Sequence, residues 1–149
     1  MGCRTHTEVF IRLDQSLIEA IQKVLREGDT VELIRQLNTL IACIPYDHWN
    51  AETESIFNVI TFLTFKFSGV DVTSEVHSAR GRCDLLVNTE QFIYVMELKL
   101  DGTADEALQQ IKRKGYLAPY AGDTRKKLAV GISFSSENRK VAEYQIEEL

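Results

Sequence analysis

Apolar positions recur along this chain with two different periods, and the change of period divides it. In residues 14–27, "DQSLIEAIQKVLRE", they return at Leu17, Ile21, Val24 and Leu25. That is the spacing of a helix, and Gly28 ends it. Asp29 or Thr30 can cap a second helix over 30–43, with Leu33, Ile34, Leu37 and Ile41 on one face, before Pro45 closes it. A third helix is predicted from Asn50 to about Ser68, with Gly69 as its stop. Beyond Glu54 it is apolar nearly all round, through Ile56, Phe57, Val59, Ile60, Phe62, Leu63 and Phe65, so it should be largely buried.

From Val70 the period drops to two. "VDVTSEVHSA", "CDLLVN" and "FIYVMELKL" read as three strands joined by the turn "ARGR" and the pair Thr89-Glu90. Connections this short imply antiparallel neighbours. Thr103 can cap a helix over 104–118 that sets Ala104, Ala107, Leu108 and Ile111 toward the core. "KLAVGISF", to Phe134, is a buried strand. Coming after a crossover helix, it should run parallel to a central strand. "KVAEYQIEE" supplies a last edge strand. The order is ααα-βββ-α-β(β): one domain of 149 residues, in which 1–44 form a helical lead-in and 45–149 the core.

The third strand of the trio carries charge where a covered strand should be apolar. Ile93 and Val95 share one face with Glu97 and Lys99, while Phe92, Tyr94, Met96, Leu98 and Leu100 take the other. Both faces are apolar before the charges begin, which marks a central strand whose charges come at its C-terminal end. Asp84 sits one hairpin away, with its partner expected near residues 95–97. Charges in a sheet core are costly unless they pair, bind metal or do chemistry. An interstrand salt bridge, Asp84–Lys99 or Glu97–Lys99, accounts for the placement. So does a hydrolytic site, in which two carboxylates hold Mg²⁺ and an ammonium assists a metal-activated water.

Composition narrows this only a little. At 44% hydrophobic and 26% charged residues the chain is ordinary globular material, and no run approaches the length of a membrane span. Met1-Gly2-Cys3 hints at lipidation, but His6 stands where that signal wants Ser or Thr. Cys3, Cys43 and Cys83 are scattered and odd in number, without ligand spacing to His6, His48 or His77. Reduced thiols in a cytoplasmic protein are expected. The net charge of −5 argues against bulk attraction to nucleic acid. Even so, "QIKRKGYLAPYAGDTRKK" carries a local +5 and leaves −10 for the remainder. Such a run is a solvated face or an anion-binding patch.

The spacing Asp84-x12-Glu97-x-Lys99, with "GRCDLLV", "FIYVMELKLDGTADEALQQIKRKGY", "APYAG" and "VGISFSSENR", resembles the PD-(D/E)XK nuclease superfamily. The likeness runs from about Ile44 to Glu148. More narrowly, the chain is similar to the nuclease-like domain that follows an AAA-type ATPase-like domain in bacterial proteins, many of them from gut Bacteroidetes. That resemblance implies an α/β, restriction-endonuclease-like core (αβββαβ, a central mixed sheet flanked by helices) behind an N-terminal helical extension. It also implies Mg²⁺-dependent hydrolysis of phosphodiesters in nucleic acid, DNA being the expected form, with Mn²⁺ able to substitute. A catalytically inactive module that binds nucleic acid or protein is the alternative.

By the same resemblance, Asp84 and Glu97 match the metal-binding acids and Lys99 the catalytic lysine. Gln110 matches the glutamine set beside the site, and Tyr116 the tyrosine that accompanies it. Glu54 matches the acid of the first core helix, with Glu52 its competitor and Glu75 a further candidate. Arg80, Arg82, Lys112, Lys114 and Tyr116 are the expected nucleic-acid contacts, joined by Arg113 and by Arg125, Lys126 and Lys127. The family's proline is replaced by Cys83. The stretch before Ile44 is too short for the ATPase-like portion, and no GxxxxGK[ST] loop occurs. An ATPase-like partner domain or chain, and a homodimer, stay open; no membrane association is expected.

Overall fold

The computed structural model describes residues 16–42, 54–78 and 81–149, with backbone alone for 54–59, 75–78 and 81–84. The expected starts at Asp14 and Asn50, together with Glu52, Arg80, Cys3, Cys43, His6 and His48, lie outside the described residues. The lead-in gives helices α1 (Ile18–Glu27) and α2 (Thr30–Ala42), followed by α3 (Glu54–Phe67). Then come β1 (Asp71–Ser78), β2 (Gly81–Asn88), β3 (Phe92–Leu100), α4 (Ala104–Lys114), β4 (Lys126–Ser135) and β5 (Lys140–Glu148).

Local chemistry sets these boundaries. Gly28 ends α1 at φ 73°, and its N–H returns to the Val24 carbonyl. The Phe92 ring lies so close to Gly28 that a β-carbon there has no space. Asp29 Oδ1 caps α2 by accepting the Glu32 N–H at 3.1 Å. Glu32 and Arg35 then form an i, i+3 ion pair at 2.6 Å. At the start of α4, Thr103 Oγ1 accepts the Glu106 N–H at 3.0 Å.

The five strands form one mixed sheet in the order β1-β2-β3-β4-β5, with β3 in the middle. β3 runs parallel to β4, and every other pair is antiparallel. A single crossover through α4 makes that parallel pair, as the sequence order predicts. Between Ser133 and Phe134 the β4–β5 register slips by one. There Asn38 Oδ1 on α2 accepts the Val141 N–H at 2.8 Å.

The sheet is covered on both faces. Leu85, Val87, Tyr94, Met96, Leu98, Val130 and Ile132 pack against α1, α2 and α3. Leu86, Ile93, Val95 and Ala129 pack beneath α4 with Leu108, Ile111 and Tyr116. The result is an α/β/α sandwich. Tyr94 is buried completely and donates its hydroxyl to the Leu25 carbonyl at 2.6 Å, tying the sheet to α1.

Two expectations need correction. In the described part of α3, burial is confined to one face: Thr61, Thr64 and Phe65 are buried, whereas Leu63 and Phe67 are exposed. The helix rests on the sheet by one side only. Its buried Thr64 hydroxyl is satisfied by the Ile60 carbonyl at 2.8 Å. The β2–β3 turn also centres on Glu90-Gln91 rather than Thr89-Glu90, because Thr89 N–H bonds the Phe92 carbonyl at 2.9 Å. No helix among the described residues is long and apolar enough to cross a membrane.

Candidate active site

The site is built on the C-terminal half of β3. Ile93 and Val95 disappear beneath α4. Two residues further along the same face comes Glu97, only 4% exposed, and then Lys99 at the rim. The crossover brings α4 back over this end, so Gln110 faces both charges. Its Nε2 donates to Glu97 Oε1 at 2.6 Å, and its Oε1 accepts from Lys99 Nζ at 2.8 Å. Between Glu97 and Lys99 an amide relay thus stands where the sequence allowed a direct salt bridge. Glu97 Oε2 is also buried.

Register brings the other acids to this row. β2 and β3 pair Leu85 with Met96 and Leu86 with Val95. One step beyond the last of these pairs, position 84 comes opposite position 97 on the neighbouring strand. A turn on Thr89-Glu90 would have put it across from Val95. On β1, position 75 falls between the pairs Ser74–Leu85 and Val76–Cys83, level with position 84. Position 82 pairs with His77 on β1. Glu54 opens α3, and only its backbone is described.

The loop after Lys99 is tied down on several sides. Asp101 adopts φ 57°, with its N–H on the Phe134 carbonyl at 2.8 Å. Its carboxylate accepts from the Ser136 hydroxyl and from the Ser136 N–H at 2.9 Å, and these bonds hold its pKa below the ordinary range. Buried Ser133 donates to the Gly102 carbonyl at 2.7 Å. Glu143, from edge strand β5, accepts the Ala104 N–H at the start of α4 at 2.7 Å. Gly131, opposite Glu97 on β4, lies against the α4 backbone. Ser133, Glu143 and Gly131 were not singled out in the sequence. Of them only Gly131, a glycine inside a strand, carries a readable signal of close approach.

Several expected nucleic-acid contacts are placed elsewhere. Tyr116 is 3% exposed within the apolar layer under α4, so its ring is not on the surface. Lys112 points to β5 and pairs with Glu147 at 3.0 Å. Arg125 pairs with Asp123 at 2.7 Å and bonds the Thr89 carbonyl, while Lys127 caps the Asp123 carbonyl at 2.6 Å. Lys126 pairs in register with Phe92, seven residues before Lys99. At ~3.3 Å per residue this basic group lies about 23 Å from the Lys99 end of the sheet. It cannot flank the Glu97 site. Lys114, four residues after Gln110, shares that side of α4.

The sheet order and the crossover fit a restriction-endonuclease-like fold. Residues 52–144 match the profile of the PD-(D/E)XK nuclease superfamily. The chain belongs to that superfamily. It is also 31% identical over 132 residues to an uncharacterized protein in the vnfD 5′ region of Azotobacter chroococcum mcd 1. That match covers 85% of this chain and 26% of the other, so this chain spans about a quarter of that relative's length.

Nucleases of this superfamily typically use divalent metals. Among the described residues no three His, Cys, Asp or Glu side chains converge on one point. Among the described side chains at this end of β3, the buried Glu97 carboxylate is an oxygen donor. Oxygen donors of this kind suit Mg²⁺, which binds through one or two carboxylates and keeps its waters.

Proposed function

We propose that this superfamily member is a metal-dependent nuclease that hydrolyses phosphodiester bonds in nucleic acid, DNA first. The observation that carries the proposal is the buried Glu97 carboxylate joined through Gln110 to Lys99 at the open end of a central strand. Asp84 and Glu97 would hold Mg²⁺ or Mn²⁺, with Glu54 completing the set from α3. A divalent ion held there would supply an acidified water and neutralise charge on the phosphate.

The chain's own residues do the rest. Glu97, desolvated and fixed by the Gln110 amide, presents a preoriented oxygen instead of a mobile one. Lys99 keeps its ammonium at the rim, where it stabilises negative charge developing on phosphate oxygens. Arg82, on the strand beside β3, and Lys114, beside Gln110, would contact the backbone of the substrate. Such contacts position a strand without reading its bases. The matched relative is more than three times as long, which supports a further reading that this unit works beside other domains.

The test is incubation of purified protein with single-stranded, duplex and branched DNA and Mn²⁺ or Mg²⁺, beside Lys99→Ala and Asp84→Ala. Metal-dependent cleavage lost in both variants supports the enzyme. Cleavage unchanged in Lys99→Ala refutes the assignment. Metal-independent binding without cleavage establishes the inactive module instead.

A further inference from the structure

Gly131 is the place where α4 touches the sheet. An added β-carbon would meet the Ala104 carbonyl oxygen at 2.5 Å, the Leu108 nitrogen at 2.9 Å and the Ala107 β-carbon at 3.1 Å. The first two are helix backbone, which no rotamer change can move aside. Ala104 and Ala107 are completely buried, so small residues line both sides of this contact. Gly131 pairs in register with Glu97, and Gln110 lies on α4 less than one turn beyond Leu108. The height of α4 above β4 therefore sets how far Gln110 must reach.

Moving the Ala104 oxygen from 2.5 Å to ordinary contact needs a lift of about 0.8 Å, enough to carry both Gln110 bonds past the usual hydrogen-bond range. The Gln110 amide spans two partners on β3, at 2.6 Å to Glu97 and 2.8 Å to Lys99. Hydrogen bonds weaken steeply once the separation passes their usual range. Lifting α4 by the fraction of an ångström that a methyl group demands would break the relay before it broke the fold. The Glu143 cap on Ala104 and the Lys112–Glu147 pair also tie α4 to β5.

We propose that Gly131 is a positioning residue for the active site: by having no side chain it seats α4 at the height that lets Gln110 link Glu97 to Lys99. This rests on the nuclease reading for its catalytic meaning, though the seating itself can be read without activity. The probe is the Gln110 side-chain amide in NMR spectra of the whole metal-free chain, assigned by its disappearance in Gln110→Met. In the native protein this amide should be displaced from the position of a solvated glutamine and exchange slowly with water. In Gly131→Ala it should move to the solvated position and exchange at least tenfold faster, with backbone dispersion retained.

Val141→Ala, which trims a buried side chain on the opposite face, should lower Tm and leave the Gln110 signal in place. An unchanged signal in a folded Gly131→Ala protein overturns the proposal, as does an equal displacement in Val141→Ala. Should Gly131→Ala not fold, Ala107→Ser adds a single atom at the same contact and is judged by the same criteria. With Mn²⁺ and DNA, Gly131→Ala should lose at least tenfold in kcat with KM within twofold. The double variant with Gln110→Met should be no slower than Gln110→Met alone. Additive losses would mean that Gly131 acts otherwise than through Gln110. If the native protein cleaves nothing while Gly131→Ala still moves the amide signal, the nuclease reading fails and the seating role stands.

Discussion

Gln110→Met tests whether the relay supports the buried carboxylate. Methionine nearly matches glutamine in length and helix propensity, so the backbone term is close to zero. What is removed is one charge-assisted donor to Glu97 at 2.6 Å and one acceptor for Lys99 at 2.8 Å. The two ends differ in cost. Lys99 is only half-buried and regains water. Glu97, at 4% exposure, cannot. A hydrogen bond to a charged group contributes ~1.5–3 kcal/mol, and here most of that is lost at the carboxylate end. For a domain of this size ~2 kcal/mol lowers Tm by about 4–8 °C. Thermal unfolding in EDTA reads the effect. Glu97→Gln provides the check, because the same Gln110→Met change in that background breaks only a neutral bond and should cost about 1 kcal/mol or less. A Tm within a degree of the native value, or an equal loss in both backgrounds, would refute the reasoning that the buried Glu97 carboxyl depends on Gln110.

Tyr94→Phe deletes the donor to the Leu25 carbonyl and leaves that acceptor buried, which should cost ~1–3 kcal/mol in urea unfolding. The Arg125 side chain and N–H hold the Asp123 pKa at about 2, below its ordinary 3.8. Because the folded value is the lower one, the pair stabilises above pH 4 and fades as pH falls toward 2. The Tm difference between native protein and Asp123→Asn should therefore shrink over that window. Lys126→Ala, at the far end of the sheet, should leave DNA affinity unchanged, whereas Arg82→Ala should weaken it and lessen its dependence on salt. Fluorescence anisotropy with Ca²⁺ in place of Mg²⁺ reads both.

Most of the architecture was legible because it is local. Leu33, Ile34, Leu37 and Ile41 all fall on the buried face of α2, and Ala104, Ala107, Leu108 and Ile111 on that of α4, as their spacing predicts. The two apolar faces of β3 placed it at the sheet centre, and the crossover helix predicted the parallel β4. Errors arose where composition had to stand in for geometry. α3 reads as apolar nearly all round, but a helix lying on a sheet buries one side, so Leu63 and Phe67 face outward while Thr61 and Thr64 turn in. The basic run 110–127 reads as one patch, yet the chain turns between α4 and β4. Lys114 is left near the site, and Arg125 and Lys127 are at the opposite end, bonded to Asp123.

The candidate site divides along the same line. Glu97 and Lys99 could be put on one face from alternation alone, because a strand's period is fixed by its backbone. How they interact could not, since it depends on a partner from another element. An ammonium two residues from a carboxylate suggests a salt bridge, but α4 inserts an amide between them. That amide reaches only because β4 has no side chain beneath Ala104 and Leu108. The glycine is visible in "AVGISF", but its meaning depends on which helix crosses it and at what height. Tertiary approach, not motif spacing, therefore decides whether the acid and the lysine act as a unit. A chain with the same Asp-x12-Glu-x-Lys spacing and a bulkier residue under the crossover helix would keep the signature and lose the coupling.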